Sequence, residues 1–108
     1  MDINEALNNA YIELFDIGVV SSHNQFSRDI MRKSPRYMSY ICANKGINKA
    51  SVSSAITAYA MIDHLCDEFR QKGRPSVSDR LDHLSTELWD AIRQTVLTIE
   101  PHRRRKQV

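Results

Sequence analysis

The sequence predicts an all-α protein, a helical bundle of about five helices with a long C-terminal helix. Three observations carry that prediction. Only three Gly and three Pro occur in 108 residues, too few for a sandwich or barrel, which needs a turn every ~8–12 residues. Apolar residues recur at intervals of three and four, the period of a helix and not of a strand. Candidate helix starts carry Ser or Asp, and candidate ends carry Gly or Pro. The length is that of one ordinary domain. A composition of 42% hydrophobic and 26% charged residues is globular. We expect one helical domain over 1–100 and a basic tail over 101–108. A Rossmann unit is excluded, because no glycine-rich strand-to-helix turn occurs.

The elements follow in order. Asp2-Ile3-Asn4-Glu5 reads as a capping box, with Leu7, Ala10, Tyr11 and Leu14 at helical spacing behind it. Gly18, free to take the left-handed conformation, ends this first helix. Ser21 or Ser22 caps a second helix over about 22–32, with Phe26, Ile30 and Met31 inward. Ser34 and Pro35 restart the chain as cap and first helical residue of a short third helix. Tyr37, Met38 and Ile41 face its core, and Lys45-Gly46 stops it. The fourth helix runs from about Ser51 to Arg70, with an apolar stripe of Val52, Ile56, Tyr59, Ile62 or Met61, Cys66 and Phe69. Lys72-Gly73-Arg74-Pro75 breaks the chain, and Ser76-Val77-Ser78-Asp79 caps the fifth helix, about 77–99. There Val77, Leu81, Leu84, Leu88, Ala91 and Thr95 recur with heptad-like spacing. Pro101 ends that helix.

Charge is unevenly placed within a net +2. Residues 1–20 hold Asp2, Glu5, Glu13 and Asp16 and no base. Residues 21–49 hold Arg28, Arg32, Lys33, Arg36, Lys45 and Lys49 against Asp29 alone. The tail holds Arg103, Arg104, Arg105 and Lys106. Two basic blocks separated by acidic helices point to two contact surfaces for a polyanion. Against this stands the plainer reading of a solvated face with a solubilising tail.

Other chemistry is thin. His64 and Cys66 do not share a helical face with Asp63 and Asp67, so no metal or other cofactor is expected. No nucleophile elbow and no pair of carboxylates in an apolar setting occurs, so an enzyme is not expected. Cys42 and Cys66 read as small buried hydrophobes. No stretch approaches the ~18–20 apolar residues of a membrane span, and no signal peptide is visible. The expected location is cytoplasmic.

Two short helices with a tight connection, set among basic residues, form the outline of a helix-turn-helix over about 21–46. Ser27 is small where the second helix must cross closely. Phe26, Ile30 and Ile41 would share a core. Arg36, Ser39 and Tyr40 or Ala43 would face outward, towards base edges or phosphates. The connection, Arg32-Lys33-Ser34, is one residue longer than in repressor-type motifs, and Arg32 stands where those carry glycine.

The run Phe26-Ser27-Arg28-Asp29, followed by Lys33-Ser34-Pro35-Arg36-Tyr37-Met38-Ser39, also resembles a group of short uncharacterised alphaproteobacterial proteins, notably from rhizobia. The resemblance covers about residues 7–70 and implies a helix-turn-helix-like fold, not a function.

The expected function is that of a small DNA-binding protein, a dimeric transcriptional regulator. Double-stranded DNA would meet Arg28, Arg32, Lys33, Arg36, Ser39, Tyr40 and Lys45, with Arg103, Arg104 and Arg105 reaching phosphates nearby. The homodimer would form along the fifth helix through Leu81, Leu84, Leu88, Trp89 and Ile92. The rival expectation is a protein-binding adaptor or antiactivator that presents the same helical fold to a regulator.

Overall fold

The computed structural model describes residues 1–43 and 49–107, with side chains described as far as Thr98. Lys45 and Gly46, the expected stop of the third helix, lie outside the described residues. Among the described residues every element is a helix, and no strand occurs.

Helix α1 spans Ile3–Asp16. The Asp2 carboxylate caps it, accepting the Glu5 N–H at 2.8 Å. At its far end Val19 N–H reaches Leu14 O at 2.9 Å, and Gly18 N–H reaches Phe15 O at 3.1 Å. These are the paired bonds of a Schellman ending, and they need Gly18 at φ +85°. Helix α2 opens at His23–Gln25 under a Ser22 hydroxyl cap and continues as a π-helical turn over Phe26–Ile30. Helix α3 is six residues, Tyr37–Cys42. Helix α4 spans Val52–Gln71 with Ser51 as cap, its hydroxyl accepting the Ser54 N–H. Helix α5 spans Pro75–Gln107. Gly73, at φ +74°, allows a second Schellman ending between α4 and α5, with Arg74 N–H on Phe69 O at 2.9 Å.

The 33 residues of α5 correspond to about 50 Å of helix, close to the molecule's longest dimension of 52 Å. Helix α4 turns back along it, and α1 packs across both. Leu7, Leu14, Phe26, Met38, Ile41, Ile62, Leu81 and Leu88 form the centre of one core. Arg80 of α5 reaches Glu13 and Asp16 of α1, the latter at 2.8 Å. Asn4 ties three elements together. Its amide donates to Ile41 O at 3.3 Å and its carbonyl accepts the Ala50 N–H at 2.9 Å.

Several sequence expectations need correcting. Helix α3 starts at Tyr37, not at Ser34-Pro35, because Ser34 O accepts the Tyr37 N–H in a tight turn with proline at its second position. Helix α5 begins earlier than expected, with Pro75 as its first residue. It also continues past Pro101 to Gln107. A single proline removes one helical hydrogen bond, and a basic C-terminal end suits the helix dipole. Ile56 is 45% exposed, whereas Ser54, Ala55 and Ala58 are buried. The inner face of α4 is rotated towards small residues, which let neighbouring backbones approach. Cys42 is exposed, and only Cys66 is buried. Its sulfur lies 3.2 Å from Ser78 O.

Four of the five residues expected along the dimer seam are buried within the single chain. Leu81, Leu84, Leu88 and Ile92 are 0%, 4%, 0% and 2% exposed within the single chain. They pack against α4 and α1, so that face of α5 is already covered. Trp89 stays 44% exposed, its ring tilted on Tyr59 at 5.3 Å.

Candidate nucleic-acid interface

The pair α2 and α3 is built around Ser27. The π-helical turn widens the helix by one residue, so that Phe26, Ser27, Ile30 and Met31 all point inward. Ser27 is fully buried. Its hydroxyl donates to His23 O at 2.9 Å and accepts the Met38 N–H at 2.8 Å. One side chain therefore closes α2 and caps α3. The sequence shows Ser27 as small; that its oxygen replaces the expected Ser34 cap depends on a contact eleven residues away.

Met31 N–H returns to Phe26 O at 3.2 Å, and Lys33 N–H to Ser27 O at 2.9 Å. Between them Arg32 takes φ +56°, which no other non-glycine described residue shares. This is the position where repressor-type motifs carry glycine. The connection spans 31–36, longer than the three residues expected, because α2 stops at Ile30 and α3 waits until Tyr37.

Tyr37 fixes the pair to α4. Its hydroxyl accepts the Ser51 N–H at 3.0 Å and shares a hydrogen bond with Ser54 Oγ at 3.0 Å. Burial pushes the phenol pKa up. The Ser54 and Ser51 hydrogen bonds, with Lys33 nearby, outweigh this and hold it below the usual range. Behind the pair, Phe26 meets the Tyr11 ring edge-on at 5.7 Å.

On this scaffold Arg28, Arg32, Lys33 and Arg36 are all exposed. None forms an ion pair among the described residues. Lys33 lies 5.7 Å from the centre of the Tyr37 ring. Arg36 sits at the N-cap of α3 instead of its first turn. It lines one shallow depression with Ser39, Tyr40 and Asn24. Sequence reasoning missed Asn24; the signal was an exposed helical position beside the basic segment. Lys49 leaves this group, since it pairs with Asp2 at 3.4 Å. Lys45 lies outside the described residues. Arg103, Arg104 and Arg105 lie on the helical backbone of α5.

Two histidines away from this face have carboxylate neighbours on their own helices. His64 pairs with Glu68 at 3.0 Å, and His83 with Glu87 at 3.4 Å. Among the described residues no three His, Cys, Asp or Glu side chains gather as metal ligands, and no helix is long and apolar enough to cross a membrane.

No curated protein and no solved structure matches the chain. Residues 7–107 match a family of unknown function, DUF6626, and the chain belongs to that family.

Proposed function

We propose that this protein binds duplex DNA through α2, α3 and their connection, as a small dimeric regulator acting in the cytoplasm. The observation that carries the reading is the set Arg28, Arg32, Lys33 and Arg36, exposed and without ion pairs among the described residues, on a pair of helices locked by Ser27 and Tyr37. A rigid pair presenting cations is what phosphate contacts need. Arg36, with Ser39 and Tyr40, is the base-reading candidate, and Arg32 and Lys33 meet phosphate. Self-association belongs to exposed apolar residues of α5, namely Trp89, Val96 and Leu97.

The six-residue α3 and long connection favour a second reading, in which the same face docks on a protein regulator. Gel retardation of random duplex DNA across a salt series separates the two. On the DNA reading, log K falls with log salt by roughly 0.9 per phosphate contact. Lys33→Ala flattens that slope by about one unit, and Arg36→Ala lowers discrimination between sequences by ~1–3 kcal/mol. Absence of retardation at low salt would remove the DNA reading and leave the adaptor.

A further inference from the structure

A separate cleft lies where the α2–α3 connection meets α4. Arg32, Ile56, Thr57, Ala60, Met61 and His64 line about 390 Å³ there, within the ~300–1,000 Å³ usual for small-ligand sites. The other clefts differ in their cations. Arg80, beside α1, is held by Glu13 and Asp16. Lys49 is held by Asp2. Arg36 lines its depression with Asn24, Ser39 and Tyr40, without an aliphatic floor. Arg32 is an exposed guanidinium, with no ion pair among the described residues, at the edge of an apolar surface.

Two facts about this cleft bear on its use. Ile56 stays 45% exposed on a helix that buries its smaller neighbours Ala55 and Ala58. Arg32 occupies a backbone conformation, φ +56°, that suits glycine. A non-glycine residue held at such a φ is grounds to ask what its side chain meets. Here the charge stands over an apolar floor.

We infer that this cleft binds an amphipathic organic anion, with its carboxylate on Arg32 and its apolar body across Ile56, Ala60 and Met61. The guanidinium fork matches a carboxylate with two parallel hydrogen bonds. An alkyl or aryl body removes Ile56 and Met61 from water. Among the lining residues only Arg32 carries a permanent charge, so the site selects anions over neutral analogues. The inference goes beyond DNA binding; it shares Arg32 with the proposed phosphate contacts but does not depend on them.

Methyl NMR titrations with octanoate, 1-octanol and octylammonium, in the absence of DNA, test it. Octanoate should give saturable shifts at Ile56, Thr57, Ala60 and Met61 in the millimolar range. Octanol should bind more weakly, and octylammonium should not bind. Arg32→Gly suits the backbone and so keeps the fold. It should weaken octanoate about tenfold, the effect of losing one charge-assisted contact, and leave octanol unchanged. Ile56→Glu, at an exposed position, should abolish octanoate binding. No saturable shift with octanoate, equal binding of octanol, or unchanged affinity in Arg32→Gly would each overturn the site. Because no DNA is present, these outcomes are independent of the DNA reading.

Discussion

Arg32 combines a disfavoured backbone with a useful side chain. The left-handed conformation costs an L-residue roughly 1–2 kcal/mol, and glycine there would lose about 0.5–1 kcal/mol to its greater freedom in the unfolded chain. Arg32→Gly should therefore stabilise the protein by about 0.5–1 kcal/mol, raising its melting temperature by a few degrees while removing one exposed cation. A lower melting temperature would show that the Arg32 side chain holds the connection together. That this position wants glycine was legible in the sequence, from its place between two short helices. The work of Ser27 was legible only in part. Its size fits the close crossing, but its hydroxyl also caps α3. Ser27→Ala should leave the buried Met38 N–H unsatisfied and cost ~1–3 kcal/mol in urea unfolding, where a merely small residue would cost almost nothing. Asp2 was legible in full, since a cap and its amide are neighbours in sequence. The Glu5 N–H, assisted by Lys49 against a smaller opposing effect of burial, holds its carboxyl below the usual range. A depressed folded pKa gives stability that is present above the unfolded value, about 3.9, and lost as pH falls through the folded one. Asp2→Ala should thus cost about 1 kcal/mol near neutral pH, and the gap from the native chain should close in acid.

Among the elements, helix starts and stops were read best where capping is local. Asp2 and Ser22 cap as expected, Ser51 caps the helix it was expected to begin, and Gly18 and Gly73 end helices with positive φ. The reading failed where a distant partner decides. Ser34 gave up its cap to Ser27, and the π-helical turn at Phe26–Ile30 left no trace in a period of 3.6. Alanine and serine were undervalued as core on α4, where Ala55 and Ala58 are wholly buried. For α5 the stripe is there, and within the single chain it is covered by the chain's own helices. A heptad-like seam looks the same whether a second subunit or α4 covers it. Leu88 is fully buried against the chain's own helices, so Leu88→Ala should destabilise the fold by ~2–5 kcal/mol. The loss should be the same at any protein concentration. A cost that shrinks as the protein is diluted would return Leu88 to a subunit interface.

At the scale of the whole molecule, charge was the most legible property, because it needs only a count along the chain. Which charges are already neutralised was not legible. Lys49 is drawn to Asp2, and Arg80 is drawn to Glu13 and Asp16, so acidic α1 takes up cations from two other parts of the chain. What remains is a compact basic face on α2 and α3 and a second basic block at the end of α5, beyond Ile92, where the described core stops. The two blocks can be separated by deletion. Removing residues 101–108 takes away Arg103, Arg104, Arg105 and Lys106 and turns a net +2 into −2. The core is untouched, so the urea midpoint should not move. If DNA binding uses both blocks, affinity should fall, and the salt slope should lessen by roughly one for each lost cation that met phosphate. The preference among sequences should survive, because base reading is assigned to Arg36, Ser39 and Tyr40. If affinity falls and the slope does not, the tail acts through the protein instead of through phosphate. If neither changes, duplex contact rests on the α2–α3 face alone, and Arg28, Arg32, Lys33 and Arg36 must then account for the entire slope.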